Sequence, residues 1–311
     1  MNAAAPFCIA ILLAVQAPSG ESREIAFSYD DPPWRDTAIM TGVDRTEALI
    51  AALDEADVEG AAFFAVTERI DASGAARLRA YAEAGHVIAN HTHSHMNLHT
   101  AGVDAFLDDV RTADSILRAH DGFRPWFRFP YLNHGSDSAQ RDAARSGLAE
   151  LGYTIGYVTV DNFDFYLDRL ANDAVAAGQS VDWEGLRELY VDMLADAAEH
   201  YDAIARRHLD RSPRHVLLLH ENDLAAMFSD DLARELRTRG WTIIPAERAY
   251  EDPIAAMEPD TLYLGQGRVA ALAHARGVPA TGLRPALEAT DALREAFAPL
   301  ISAPSPARER P

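Results

Sequence analysis

His86-Val87-Ile88-Ala89-Asn90 runs without a break into His91-Thr92-His93-Ser94-His95. The first five residues read as a short strand. The next five hold three of the chain's twelve histidines. His91 and His95 are four apart, a spacing that on a helical turn puts both imidazoles on one side, within reach of one metal ion. Two histidines do not complete a metal site, and alone they read equally well as a polar loop. Another ligand has to come from elsewhere in the chain.

Working outward, residues 24–29 alternate as a strand and end in Asp30-Asp31-Pro32-Pro33. Residues 46–56 have helical periodicity, and 61–66 are an apolar run that reads as a buried strand. Residues 73–84 read as a helix with Ser73 as N-cap and Gly85 as its stop. Beyond the histidines come a helix at 103–119, a strand at 126–129 and a helix at 138–151. A strand at 153–160, a helix at 183–208, a strand at 215–220, a helix at 224–239 and a strand at 241–244 follow. Strand and helix alternate about seven times, which argues for parallel strands with crossover helices, as a barrel or a doubly wound sheet. The polar residues of interest all follow strands: Asp30 and Asp31, His91 and His95, Arg128 and Tyr131, Asp161 and Asp164, His220. Parallel strands gather their carboxyl ends at one face, so these five segments are expected to converge on one cleft.

The pattern weakens after residue 252. A short strand is expected at 261–264 and one or two helices within 285–300. The chain is expected to divide into a leader at 1–20, a main α/β domain at 21–255, a C-terminal extension at 256–301 packed on it, and a Pro/Ala/Arg-rich tail at 302–311 that reads as disordered.

Composition narrows the function. With 28 Lys+Arg against 48 Asp+Glu, the formal charge is −20, which disfavours nucleic acid and anionic membrane. No protein partner is implied. The single cysteine, Cys8, excludes an intrachain disulfide and a thiolate metal site, so any metal must use His and carboxylate. Residues 7–15 are apolar and precede a small-residue site at Val15-Gln16-Ala17, a signal-peptide pattern, although residues 1–6 carry no Lys or Arg. Export to the periplasm or medium is the expectation, with a cytoplasmic location as the alternative. The run is too short to span a bilayer, and no other stretch qualifies.

Asp30-Asp31 alone reads as an acidic turn. Beside the histidine pair it completes a two-His, one-carboxylate set with positions left open for water and substrate. Adjacent residues leave a strand in different directions, so one carboxylate can bind metal while the other moves a proton. His93 and His99 compete as ligands but read as bystanders. A non-haem iron centre has the same ligand set, but gives no reason for a second carboxylate or for His220.

Four segments then resemble, in order, the motifs of the polysaccharide deacetylase (NodB-homology, carbohydrate esterase) family: Ser28-Tyr29-Asp30-Asp31, Gly85 through His95, Phe127-Arg128-Phe129-Pro130-Tyr131, and Leu217-Leu218-Leu219-His220. Asp161-Asn162-Phe163-Asp164-Phe165 resembles a fifth, with Phe165 where the family has Trp. Pro32 stands where the family commonly has Gly, and the stretch from Asp164 to His215 is longer than usual. The similarity spans about residues 24–250. It implies a distorted (β/α) barrel of about seven parallel strands with a C-terminal appendage. By the same resemblance Asp30 is the base and Asp31, His91 and His95 hold a divalent metal, Zn²⁺ first, with Co²⁺, Mn²⁺ or Ni²⁺ as alternatives. Arg128 holds Asp30, the Tyr131 N–H stabilises the oxyanion, and His220 is the acid, oriented by Asp164 with Phe165 as an apolar wall. Asp161 reads either as a helix cap or as a support to the site. The implied reaction removes acyl groups, acetyl above all, from N-acetylated carbohydrate such as a chitin-like oligomer. The alternatives are a small non-sugar amide, an O-acetyl ester, or a non-catalytic metal- or carbohydrate-binding protein.

Overall fold

The structure is a computed structural model that describes residues 22–263 and 265–302. The leader expected at 1–20 and the tail from 303 onward lie outside the described residues. The elements are β1 (Arg23–Asp30), α1 (Gly42–Glu55), β2 (Ala62–Ala65), α2 (Ala72–Glu83), β3 (Val87–Asn90), α3 (Leu98–Ala101), α4 (Val103–Leu117), β4 (Phe123–Phe127), α5 (Ser138–Glu150) and β5 (Thr154–Ile155). They continue with α6 (Asp164–Ala176), β6 (Ser180–Val181), α7 (Trp183–Leu209), β7 (His215–His220), α8 (Asp223–Thr238), β8 (Trp241–Ile243), α9 (Ala246–Tyr250), α10 (Arg268–Ala275), α11 (Thr290–Phe297) and β9 (Ile301–Ser302).

The main sheet is parallel, in the order β5-β4-β3-β2-β1-β7. The strands are covered by helices, and β2, β3 and β7 read as apolar runs rather than alternating ones. Ile25 pairs with His215 of β7 and with Ile243 of β8, which puts β8 on the edge of β1 that β2 uses further along. The expected strand at 153–160 is two pieces. Thr154 and Ile155 pair with β4, and Val160 bridges to Leu217 on the free edge of β7, curling the sheet into a distorted barrel. The break falls at Gly156, where a Cβ would lie 2.4 Å from the Phe64 ring inside the barrel. Only glycine lets the backbone pass that close.

Local chemistry moved several boundaries. α1 starts four residues before the expected 46, because the Thr41 hydroxyl accepts from the Asp44 N–H at 3.2 Å. Asp71, not Ser73, caps α2, accepting from the Gly74 N–H at 2.8 Å. Residues 261–263 form no strand. Ser302, assigned to the tail, pairs with Ser180 in a small antiparallel ribbon. α7 buries Leu186, Tyr190, Leu194, Ala198, Tyr201 and Ala205 along one face, the helical spacing of a core-facing stripe. Among the described residues no helix is long and apolar enough to cross a membrane.

Candidate active site

β1, β3, β4 and β7 run in one direction, so Asp30, His91, Arg128 and His220 emerge at one rim. The histidine segment is not helical, contrary to the spacing argument. Thr92 (φ 69°) and His95 (φ 56°) are left-handed, which is uncommon outside glycine. Buried groups hold that loop. Asn90 Oδ1 accepts from the Thr92 N–H at 2.7 Å, and Asp109 on α4 accepts from the N–H groups of His93 and Ser94 at 3.0 Å each. The loop brings the His91 and His95 rings to 4.9 Å between centroids. His93 turns away to the Thr67 hydroxyl at 2.9 Å, and His99 is exposed on α3. Both are bystanders.

Asp31 (φ 76°) completes the group: one ligand atom each from Asp31, His91 and His95 lie within 4.8 Å of one another. Three features fit a divalent cation. His91 Nδ1 donates to the Arg128 carbonyl at 2.9 Å, which leaves Nε2 as the free donor atom. Burial holds both imidazoles down, at about 4, so they are neutral near pH 7. Burial pushes Asp31 up, but His95, His91, His220 and Arg69 outweigh it and bring the carboxyl to about 2. Two neutral nitrogens and a carboxylate suit Zn²⁺ and its first-row neighbours.

Asp30 is 3% exposed. Its Oδ1 accepts from Arg128 Nη1 at 2.5 Å, and its Oδ2 lies 3.5 Å from His91 Nε2. Burial raises its pKa against the opposing pull of Arg128 and His220. Arg128 is fixed on every side, donating to the Gly156 carbonyl (2.8 Å), the Ser28 hydroxyl (3.0 Å) and the Tyr250 hydroxyl (2.9 Å). Its guanidinium lies 3.8 Å from the centre of the Phe64 ring.

Across the rim, His220 Nδ1 is 2.7 Å from Asp164 Oδ1, while Asp164 Oδ2 accepts from the His220 N–H at 2.9 Å and from Asn222 Nδ2 at 3.0 Å. Burial lowers the His220 pKa, but the Asp164 charge and hydrogen bond, helped by Asp31 and Asp30, lift it to about 9. The Phe165 ring packs edge-on to His220 at 5.3 Å, and Tyr131 (φ 60°) sets its ring 4.5 Å from His95. Asp161 does not cap α6. It accepts from the Asn162 N–H at 2.9 Å and from Gln266 at 3.2 Å, and burial and Glu288 raise its pKa well above the carboxylate range.

All of these candidates except Arg128 and Asp164, which stand behind the wall, line one cavity of about 800 Å³. Sequence reasoning missed several contributors. Arg69 donates to the Asp31 carbonyl at 2.9 Å and lies 4.4 Å over Trp34. Tyr250 sits 122 residues from the Arg128 it braces. Glu221, directly after His220, is buried and accepts from Arg77 (2.7 and 2.9 Å), Tyr81 (2.7 Å), Thr46 (3.2 Å) and the Trp34 N–H (2.6 Å). A charge placed beside a strand-end histidine was the available signal for it.

Residues 17–156 match the family model described as polysaccharide deacetylase. That span holds Asp30, Asp31, His91, His95, Arg128 and Tyr131, while Asp164 and His220 lie beyond it. No curated protein matches the sequence. Among solved structures the chain is similar to the T48 deacetylase with substrate, at 16% identity and a TM-score of 0.51 over 74% of this chain and 92% of that one. It is also similar to a family 4 carbohydrate esterase from Streptomyces lividans in complex with acetate (20%, 0.49, 74% and 97%). A family 4 acetyl xylan esterase from Clostridium thermocellum in complex with a cobalt ion gives 17%, 0.47, 74% and 91%. At 16% identity the likeness to the first of these speaks to the fold alone.

Proposed function

We propose that the chain, which matches the polysaccharide deacetylase family over residues 17–156, is a member of that family of hydrolases of acetyl amide and ester bonds in carbohydrates, and a metal-dependent deacetylase of N-acetylated carbohydrate. The observation that carries this is the meeting of a three-ligand cluster, a clamped carboxylate and a carboxylate-held imidazole in one cavity.

A divalent ion held by Asp31, His91 and His95, Zn²⁺ in the first instance, would polarise the acyl carbonyl and acidify water. The remaining work falls to side chains. Arg128 occupies Asp30 Oδ1 and leaves Oδ2 towards His91, so Asp30 takes the proton of the attacking water on Oδ2. The Tyr131 N–H, set in a left-handed turn at the rim, donates to the developing oxyanion, a contribution of roughly 3 kcal/mol in comparable sites. His220, protonated near neutrality because Asp164 holds Nδ1, gives its Nε2 proton to the sugar nitrogen as the C–N bond breaks. Acetate and a free amine leave. Export, expected from residues 1–20, would bring the enzyme to envelope or extracellular polymers.

The test is acetate release by metal-loaded protein from chitin oligomers, peptidoglycan, acetylated xylan and small amides, with Asp30→Asn in parallel. Turnover of an N-acetylated sugar, lost in the variant while metal content stays, supports the proposal. Turnover of none of these, or near-normal turnover by Asp30→Asn, overturns it.

A further inference from the structure

A second cavity, about 30 Å³, adjoins the reaction cavity and shares Leu132 with it, where the barrel meets the C-terminal extension. That is room for one water-sized guest. Its polar lining is one-sided. Arg128, Arg145, Arg268 and His134 face it, and no carboxylate of the described residues does. Arg128 is neutralised by Asp30 at 2.5 Å. Arg145 has Glu258 at 3.4 Å, whose side chain is 55% exposed.

Arg268 is 7% exposed and has no ion-pair partner among the described residues. Its Nη1 donates to the carbonyls of Ile254 (3.0 Å) and Ala255 (2.6 Å), and its guanidinium lies 4.1 Å over the Tyr157 ring. Two buried polar atoms of the lining lack a protein partner among the described residues, His134 Nδ1 and the Tyr263 hydroxyl. The Glu258 charge reaches Arg268 but makes no contact ion pair with it, and a buried cation without a close counter-charge is costly, just as buried polar atoms are normally satisfied. Burial, with Arg145, Arg268 and Arg141 around it, also holds His134 neutral, so the histidine adds an N–H rather than a further charge.

We propose that this cavity binds one chloride-sized monovalent anion, held by Arg268 and Arg145 and finished by N–H and O–H donors from His134 and Tyr263. A water molecule would satisfy the orphaned atoms but not the charge. Acetate carries the charge but is larger than the water-sized space. Bound there, the anion ties Arg268 and Tyr263 of the extension to the wall beside Arg128.

The experiment melts the full chain in sodium chloride, bromide, acetate and gluconate at equal ionic strength, and locates bromide by anomalous scattering in crystals grown with it. Chloride and bromide should raise Tm by on the order of a few degrees, saturably, above gluconate and acetate. A bromine peak should stand between Arg268 and Arg145. Arg268→Met should abolish the shift. Should that variant not fold, Arg145→Gln and Tyr263→Phe should each raise the half-saturating concentration several-fold. Equal Tm in all four salts, no bromine peak, an acetate shift matching chloride, or variants that respond like the parent would overturn the proposal.

Discussion

Asp164→Asn isolates the acid. The substitution keeps the shape of the residue that contacts His220 at 2.7 Å through Nδ1 and 2.9 Å through the backbone, removes its charge, and turns one of its two accepting oxygens into a donor. In the parent, His220 sits at about 9 against an ordinary 6.5, which corresponds to about 3 kcal/mol in favour of the imidazolium. Asp164 is the largest upward contributor, and burial opposes it, so without the charge His220 falls to its ordinary value or below. At pH 8 the protonated fraction then drops from roughly nine-tenths to a few per cent, and kcat on an N-acetyl substrate falls at least about tenfold. The assay is the pH dependence of kcat on an N-acetylglucosamine oligomer and on an aryl acetate, whose leaving group needs no proton. The alkaline limb for the amide should move about 2.5 pH units or more towards acid, with the aryl acetate little affected and metal content unchanged. An unmoved alkaline limb, or equal losses on both substrates, would refute the reasoning. The sign for folding is the same. A histidine raised above its unfolded value stabilises the fold fully below about pH 6.5, and that contribution is lost as pH rises through about 9.

Three further outcomes are expected. His91→Ala should lower bound zinc, read by elemental analysis after dialysis, to well under half an equivalent, because one of three ligands and the bond to the Arg128 carbonyl go together. Gly156→Ala should destabilise by about 1–3 kcal/mol in urea unfolding, since the new methyl meets the fully buried Phe64 ring on which Arg128 rests. Burial and the neighbouring Asp223 push Asp168 up to about 7, so the folded state binds its proton more tightly than the unfolded chain, and the contribution is lost as pH climbs from about 4 to 7. Asp168→Asn should therefore gain on the parent by on the order of 2 kcal/mol between pH 5 and 8, measured as the difference in unfolding free energy.

The strand-end residues were legible because apolar runs stop at them: Tyr29 before Asp30, Leu219 before His220, Phe127 before Arg128. A short list of ionisable groups at one rim followed from parallel topology alone. The local shape of the histidine segment was not legible. Its conformation is set by Asp109, sixteen residues from His93, and no periodicity carries that information. α6 escaped notice for a related reason. Asp164 and Asp168 are buried in it, bonded to other elements, so its polar residues do not mark a solvent face. α10 begins at Arg268, with Gly267 as an N-cap that offers no side-chain hydrogen bond, so nothing in the sequence announces its start. Gly156 was invisible within an apolar stretch until the Phe64 ring stood opposite it.

Glu221 sets a rule for anyone redesigning the mouth of this site. Its backbone N–H bonds the Asp30 carbonyl at 2.9 Å, while its carboxylate gathers Arg77, Tyr81, Thr46 and the Trp34 N–H. The loop over the cavity, two helices and the strand that carries the acid are thus keyed to one buried anion. A loop grafted from a relative to change substrate preference must present an N–H where Trp34 does, or arrive with new partners for Glu221. Otherwise the graft strands a charge one residue from His220, and the failed graft would look like lost catalysis.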